Sequence, residues 1–285
     1  MLRRLRKQAT EPAKKKKVAK KKAVKKRPQE AASGSLQEGQ ADKRTVGAPP
    51  TTEHESSGIK GLREVNTEDL EKILDLHRQW IASKSKEGTR ANLARTYLRE
   101  AYLQGALLRG AELREANLQK AEMQNADLFL ADMRAADLLE ANLTKAVLKR
   151  VKLDGGSLIE AKMGQVDLEQ ASLKAADLRE ADLCEANLQN TNFKNANLRD
   201  ANLFLVELMN ADLQKADLSG ADLKGADLTG ANLKGARMLG AKMQGAELLG
   251  TNLEGVDLSG ATGLSRSQIE EATTDDKTQL PDNLE

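Results

Sequence analysis

The stretch "ADLSGADLKGADLTGANLKGA", residues 216–236, repeats every five residues. That period belongs neither to an α-helix, at about 3.6 residues per turn, nor to a flat strand, at about two. It places Leu218, Leu223, Leu228 and Leu233 on equivalent sites. Followed outward, the register runs from Leu93 to Leu258 without insertion or deletion. Of its 34 equivalent positions, 28 are Leu, five are Met (Met123, Met133, Met163, Met238, Met243) and one is Phe193. Two residues before each, 26 of the 34 are Ala, and the others are Thr96, Val151, Gly156, Val166, Thr191, Val206, Thr251 and Val256, mostly small.

Leu and Ala two apart point the same way on an extended segment, so each pentapeptide can send both inward. The remaining three positions must face out or turn a corner, which suits Asp/Asn, a variable polar residue and a frequent Gly. Leu118, Leu178, Phe193 and Leu218 are thus expected in the core. Only 2% of the chain is aromatic, so the apolar mass comes from Leu and Ala at fixed spacing. Each buried Leu contributes roughly 1.5–3 kcal/mol gross, enough for a Leu column to stabilise a fold almost without aromatics.

"ADLSG", "ADLKG" and "ANLKG" match the A(D/N)LXX motif, and the chain resembles the pentapeptide-repeat family over about 60% of its length. The resemblance implies an all-β fold, a right-handed quadrilateral β-helix. Each coil has four pentapeptides, with the central Leu inside and the small residue inside at the corner. At 20 residues per coil, the 34 repeats make about eight and a half coils, a rod of ~40 Å at the inter-strand spacing. Residues 20 apart then stack in outward columns. Open edges at both ends need closing. At "KLDGGSL" the inward residue is Gly156, next to Gly155, where a local kink or looser packing is expected.

The chain divides into a disordered, Lys-rich tail and linker over 1–58, an N-terminal capping-helix region over 59–90, the repeats over 91–260, and a C-terminal capping helix and tail over 261–285. The tail has too few large apolar residues to offset the entropy of ordering. In "NTEDLEKILDLHRQWIASKSKEG", Asn66 or Thr67 can serve as N-cap and Gly88 suits the C-terminal end. Leu70, Ile73, Leu74, Trp80 and Ile81 form one apolar face, read as a cap on the first coil. After Ala261 a short helix is expected, with Ser267 and Glu270 spaced as a capping box.

Net charge is +2, but residues 1–27 hold 14 Lys/Arg against one acid, whereas 91–260 hold 20 Lys/Arg against 25 Asp/Glu, a net −5. A basic arm on an acidic body points to a polyanionic partner for the arm. Lys14, Lys15, Lys16, Lys17, Lys20, Lys21, Lys22, Lys25, Lys26 and Arg27 are the expected nucleic-acid contacts. No aromatics are interleaved, so base stacking is not expected. Cys184 is the only cysteine, which excludes an internal disulfide and a cysteine-based zinc site. No signal-peptide or membrane-spanning run occurs. The cytoplasm is the expected location, with nucleoid association through the tail.

Large apolar residues stand at outward positions: Phe129, Leu130, Leu139, Ile159, Phe204, Leu205 and Met209. Of these, Phe129, Leu130, Phe204, Leu205 and Met209 are the partner-binding candidates. The row Glu100, Lys120, Glu140, Glu160, Glu180, Asp200 lies beside Arg99, Gln119, Leu139, Ile159, Arg179, Arg199, and such ladders ordinarily neutralise each other. Lys145, Lys149, Arg150 and Lys152 form a basic cluster that could touch phosphate. From Gly220 to Gly260 the second residue after each Leu is Gly nine times running, which reads as a bare surface.

No catalytic, cofactor or metal residues are expected. His54 and His77 have no nucleophile to pair with, and no Walker A, GxGxxG or paired Cys/His motif occurs. The expected function is a non-catalytic scaffold for protein–protein interaction with a polybasic tail that associates with nucleic acid; self-association is open. An alternative carried by the resemblance is a DNA-mimic modulator of a type II topoisomerase. Duplex DNA of ~40 Å would carry about 24 charges, well beyond the body's −5. Another is a structural protein whose tail binds anionic membrane.

Overall fold

The computed structural model describes residues 61–281 and 284. The tail over 1–58 and its basic residues from Lys14 to Arg27 lie outside them. Within the repeats the chain returns to the same place every 20 residues. Parallel bridges join Asn92 to Glu112, Tyr97 to Asn117, Tyr102 to Glu122 and Leu107 to Asp127, and the same offset persists to Lys242 and Thr262. Four bridges per coil give four sides. The sides are shorter than the extended segments expected: one bridged residue, the Asp/Asn position, between turns.

The corner explains the shortness. Ala221 donates its N–H to the Leu218 carbonyl at 3.0 Å, closing a turn over Ser219 and Gly220. A turn of type II needs its third residue left-handed, and Gly220 has φ +73°. Every repeat from Arg95 to Gly260 repeats this, with φ of +51 to +60° at side-chain-bearing residues and +65 to +77° at glycines. The glycine run is therefore a backbone device as well as a bare surface. The Asp/Asn position supports the same corner, because its carboxylate or amide oxygen accepts from the N–H two residues on. Asp227 takes the Thr229 N–H at 2.9 Å and Asn252 the Glu254 N–H at 2.9 Å, the Asx arrangement that mimics a backbone turn.

Leu118, Leu178, Phe193 and Leu218 are fully buried, as are the Met residues of the same column. At two of the inward Thr positions the hydroxyl finds a carbonyl on the preceding coil: Thr191 donates to Leu168 at 2.8 Å and Thr251 to Leu228 at 2.7 Å. The kink expected at Gly156 is absent. Its N–H reaches the Leu153 carbonyl at 3.0 Å and the Ser157–Asp177 bridge keeps the register, since the coil is held by backbone bonds that a missing methyl does not touch.

Helix α1, Thr67–Ala82, starts at Asn66, whose side chain accepts the Asp69 N–H at 2.8 Å. Leu70 and Leu74 join the core of the repeats, and Ile73 packs against it half-buried. Before the helix, Arg63 adds a parallel bridge to Thr96. The helix stops earlier than Gly88: Lys84 donates to the Ile81 carbonyl at 3.2 Å and Ser85 to that of Trp80 at 2.7 Å, with Lys84 left-handed at φ +55°. That is a Schellman ending with Lys in the place glycine usually takes. Gly88 instead lets the chain pass against α1, where a Cβ would collide with the Leu76 carbonyl and lie 2.8 Å from the Trp80 nitrogen. Helix α2, Arg266–Glu270, carries its capping box at Ser265 and Gln268, two residues earlier than expected. Gln268 also donates to the Ala246 carbonyl at 2.7 Å, and Thr273 and Gln279 bridge to Asn252 and Asp257 beyond the last full coil.

The turn strain is separable from packing. A Cβ on Gly240, at φ +71°, meets nothing within 4 Å, so Gly240→Ala probes the left-handed conformation alone and is expected to destabilise by about 1 kcal/mol. Gly164 is not left-handed and its nearest neighbour is 3.9 Å away; Gly164→Ala is expected to stabilise by about 0.4–1 kcal/mol through the unfolded chain. Denaturant melts of the two variants should therefore shift in opposite directions.

Candidate docking surface

Phe129 and Leu130 end one pentapeptide on the side of the coil that also carries Arg109 and Gly110 one coil earlier. The C-terminal part of α1 comes down beside them. Together they enclose a groove of about 220 Å³ lined by Trp80, Ile81, Lys84, Ser85, Arg109, Gly110, Phe129 and Leu130. Leu130 is 51% exposed and sits left-handed at the corner, φ +59°. Phe129 is held by its N–H to Asp127 Oδ1 at 3.2 Å, and Asp127 Oδ2 accepts from Arg109 Nε at 2.6 Å. The one carboxylate at this corner is thus committed beneath the groove.

His77 anchors the helix wall. It is fully buried and its Nδ1 accepts the Ala91 N–H at 3.0 Å, tying α1 to the first repeat. Its ring stacks on Trp80, centroids 5.5 Å apart and planes 13° from parallel. An accepting Nδ1 puts the proton of the neutral ring on Nε2, which is buried without a hydrogen bond among the described residues. Burial, aided by the Arg90 charge, lowers the His77 pKa below 6.5, while the Arg109 carbonyl pulls the other way without making a hydrogen bond.

The second candidate cluster is largely exposed. Phe204 and Leu205 are 40% and 46% exposed, Met209 is half-buried, and the Leu205 side chain folds over Gly225 of the next coil, where a Cβ would lie 2.6 Å from it. Sequence reading missed Leu239 and Leu249, the latter 60% exposed, and Tyr102. All three stand at outward positions of the five-residue register, which is the signal that would have found them.

The charged rows are neutralised in part, since Glu160, Glu180 and Asp200 make no ion pair among the described residues. Lys120 meets Glu140 at 3.4 Å, Lys149 meets both Asp167 and Glu169 at 3.0 Å, and Lys234 meets Glu254 at 2.8 Å. Three of these four pairs span one coil, the stacking expected of residues 20 apart. They also draw Lys149 out of the basic cluster, and Arg150 donates to Gln170 at 2.8 Å. Cys184 is half-buried, and burial next to Asp182 and Glu185 raises its thiol pKa. Among the described residues no group of His, Cys, Asp and Glu could hold a metal ion, and no helix is long and apolar enough to cross a membrane.

The family model for pentapeptide repeats matches in 8 copies, the first over 91–128 and the last ending at residue 260. The chain belongs to the pentapeptide-repeat family. Pentapeptide-repeat proteins are right-handed β-helix solenoids and, in general, non-catalytic structural or interaction proteins. Among solved structures, the chain is similar to HetL, a pentapeptide repeat protein involved in heterocyst differentiation regulation from the cyanobacterium Nostoc sp. strain PCC 7120. Identity is 28% over 77% of this chain and 94% of that one, with a TM-score of 0.32. A pentapeptide repeat protein of the Arabidopsis thaliana thylakoid lumen is 33% identical over 42% of this chain and 70% of its own, TM-score 0.30. QnrB1, a plasmid-mediated fluoroquinolone resistance protein, is 17% identical over 60% and 90%, TM-score 0.31. A search of curated proteins finds no match.

Because the folded-state pKa of His77 lies below its ordinary 6.5, the unfolded chain binds the proton more readily. The stability His77 contributes is full above that pH and is lost as pH falls below it. Thermal melts at pH 7.5, 6.5 and 5.5 should show this loss in the wild type; in His77→Gln the loss over the same window should be smaller.

Proposed function

We propose that this pentapeptide-repeat protein is a non-catalytic binding scaffold. Its solenoid, closed by α1 at one end and by α2 with the segment after it at the other, presents outward side chains to a protein partner, and residues 1–27 act as a polybasic arm for nucleic acid. The observation that carries the scaffold reading is the fixed outward columns: neutralised ion pairs one coil apart, interrupted by the exposed Leu130, Phe204 and Leu205. A rigid stack of this kind offers its surface without an ordering penalty at binding. The arm rests on charge alone, 14 Lys/Arg against one acid, which supports the cytoplasm and nucleoid as its place of action. The repeat body's net −5, against about 24 charges on a duplex of the same length, argues against a DNA mimic.

The arm is tested by gel shift on duplex DNA across a salt series. Full-length protein should lose about 10³-fold or more in affinity between 50 and 200 mM salt. A variant with Lys14–Lys17, Lys20–Lys22, Lys25, Lys26 and Arg27 changed to Gln should bind far more weakly, with a shallower slope. Equal binding by both proteins would remove the arm as the nucleic-acid site, and no shift by either would remove nucleic acid and leave the scaffold.

A further inference from the structure

The groove beside α1 joins an apolar lining to a cationic rim. Several cations of the outer wall are matched by carboxylates one coil away, as Lys120, Lys149 and Lys234 are. Here the wall supplies Trp80, Ile81, Phe129 and Leu130, and the rim supplies Lys84 and Arg109, with no carboxylate lining it. Lys84 makes no ion pair among the described residues. Arg109 Nε is turned to Asp127 at 2.6 Å, and its guanidinium remains half-exposed. Gly110 keeps the floor open, since a Cβ there meets nothing within 4 Å.

Size and charge together select the occupant. At about 220 Å³ the groove falls below the range of roughly 300–1,000 Å³ that holds drug-sized ligands. It suits a single large side chain, the way an interface anchor fills a desolvated pocket. An apolar lining with two cations and no acid at the rim complements a carboxylate beside that anchor. We propose that this groove receives a short peptide segment of a partner protein, one apolar side chain inserted between Trp80 and Leu130 and a neighbouring Asp or Glu carboxylate held at Lys84 and Arg109. The proposal rests on the scaffold reading and gives that partner its chemistry.

Trp80 is the only tryptophan of the chain, so its emission reports the groove directly. The full-length protein would be titrated with acetylated, amidated tetrapeptides of sequence AFDA and AFKA, to several millimolar. The expected result is a saturable change in Trp80 emission, with AFDA at least about tenfold tighter than AFKA. Lys84→Glu should erase or invert that preference. Gly110→Gln should weaken AFDA about tenfold while lowering the melt no more than Gly240→Ala does, because Gln165 and Gln170 hold the same turn position with φ of +57 and +60°. No saturable change, equal binding of both peptides, or binding undiminished in Gly110→Gln would each overturn the proposal. A dimer by sedimentation that dissociates in Gly110→Gln would overturn it in favour of a second copy as occupant. Should the peptides fail while a partner captured by the wild type is lost in Leu205→Glu, the groove is wrong and the scaffold reading stands.

Discussion

From Ala101 to Ala261 the N–H of each inward small residue bonds to the carbonyl three residues before it, across a turn whose third residue is left-handed. Ala221 to Leu218, across Gly220, is one of a long series of the same corner. Four such corners close a coil, and the closure sets the 20-residue offset of every bridge from Asn92 to Thr262. The constraint falls on backbone conformation more than on residue identity. Glu140, Lys145, Leu130 and Ala175 all adopt φ of +53 to +60°, at a strain of about 1–2 kcal/mol each. They persist because the coil over-determines them: a Leu buried from one side, an Asx acceptor from the other, and a coil above and below.

The same constraint explains what the sequence revealed and what it did not. The five-residue period was legible because it is written in side chains, Leu inward with Ala two before it. The left-handed corner was not, because only some of its positions are glycine, so Gly220 to Gly260 read as surface when their first role is in the backbone. Gly156 misled in the opposite sense: a missing inward methyl suggested a kink, yet the bonds that hold the register are all main-chain. Helix ends failed for a related reason. Gly88 looked like the stop of α1, but Lys84 takes the left-handed position, and Gly88 is needed for close passage against Leu76 and Trp80. A left-handed Lys carries no sequence mark.

The candidate surface was half legible. Phe129 and Leu130 stood out because an outward slot of a strict register was filled by large apolar side chains. Their partners did not, because Trp80 and Ile81 belong to a helix outside the register, whose pose is set by Leu70 and Leu74 entering the core and by His77 bonding to Ala91. Periodicity predicts contacts within the solenoid to the residue. It has nothing to say about an element that crosses its end.

This division bears on where the protein can vary without losing its fold. Inside, Leu, Ala and the corner hydrogen bonds leave little freedom, and on the wall some charges meet a counterpart one coil on, as Lys234 meets Glu254. Where the repeats give way to α1, a helix lies beside the wall and adds side chains from outside the register. Lys84, Trp80 and Leu130 gather at that discontinuity. The end of the stack thus joins an apolar corner to aromatic and basic side chains at a helix end, a combination the five-residue repeat does not itself provide.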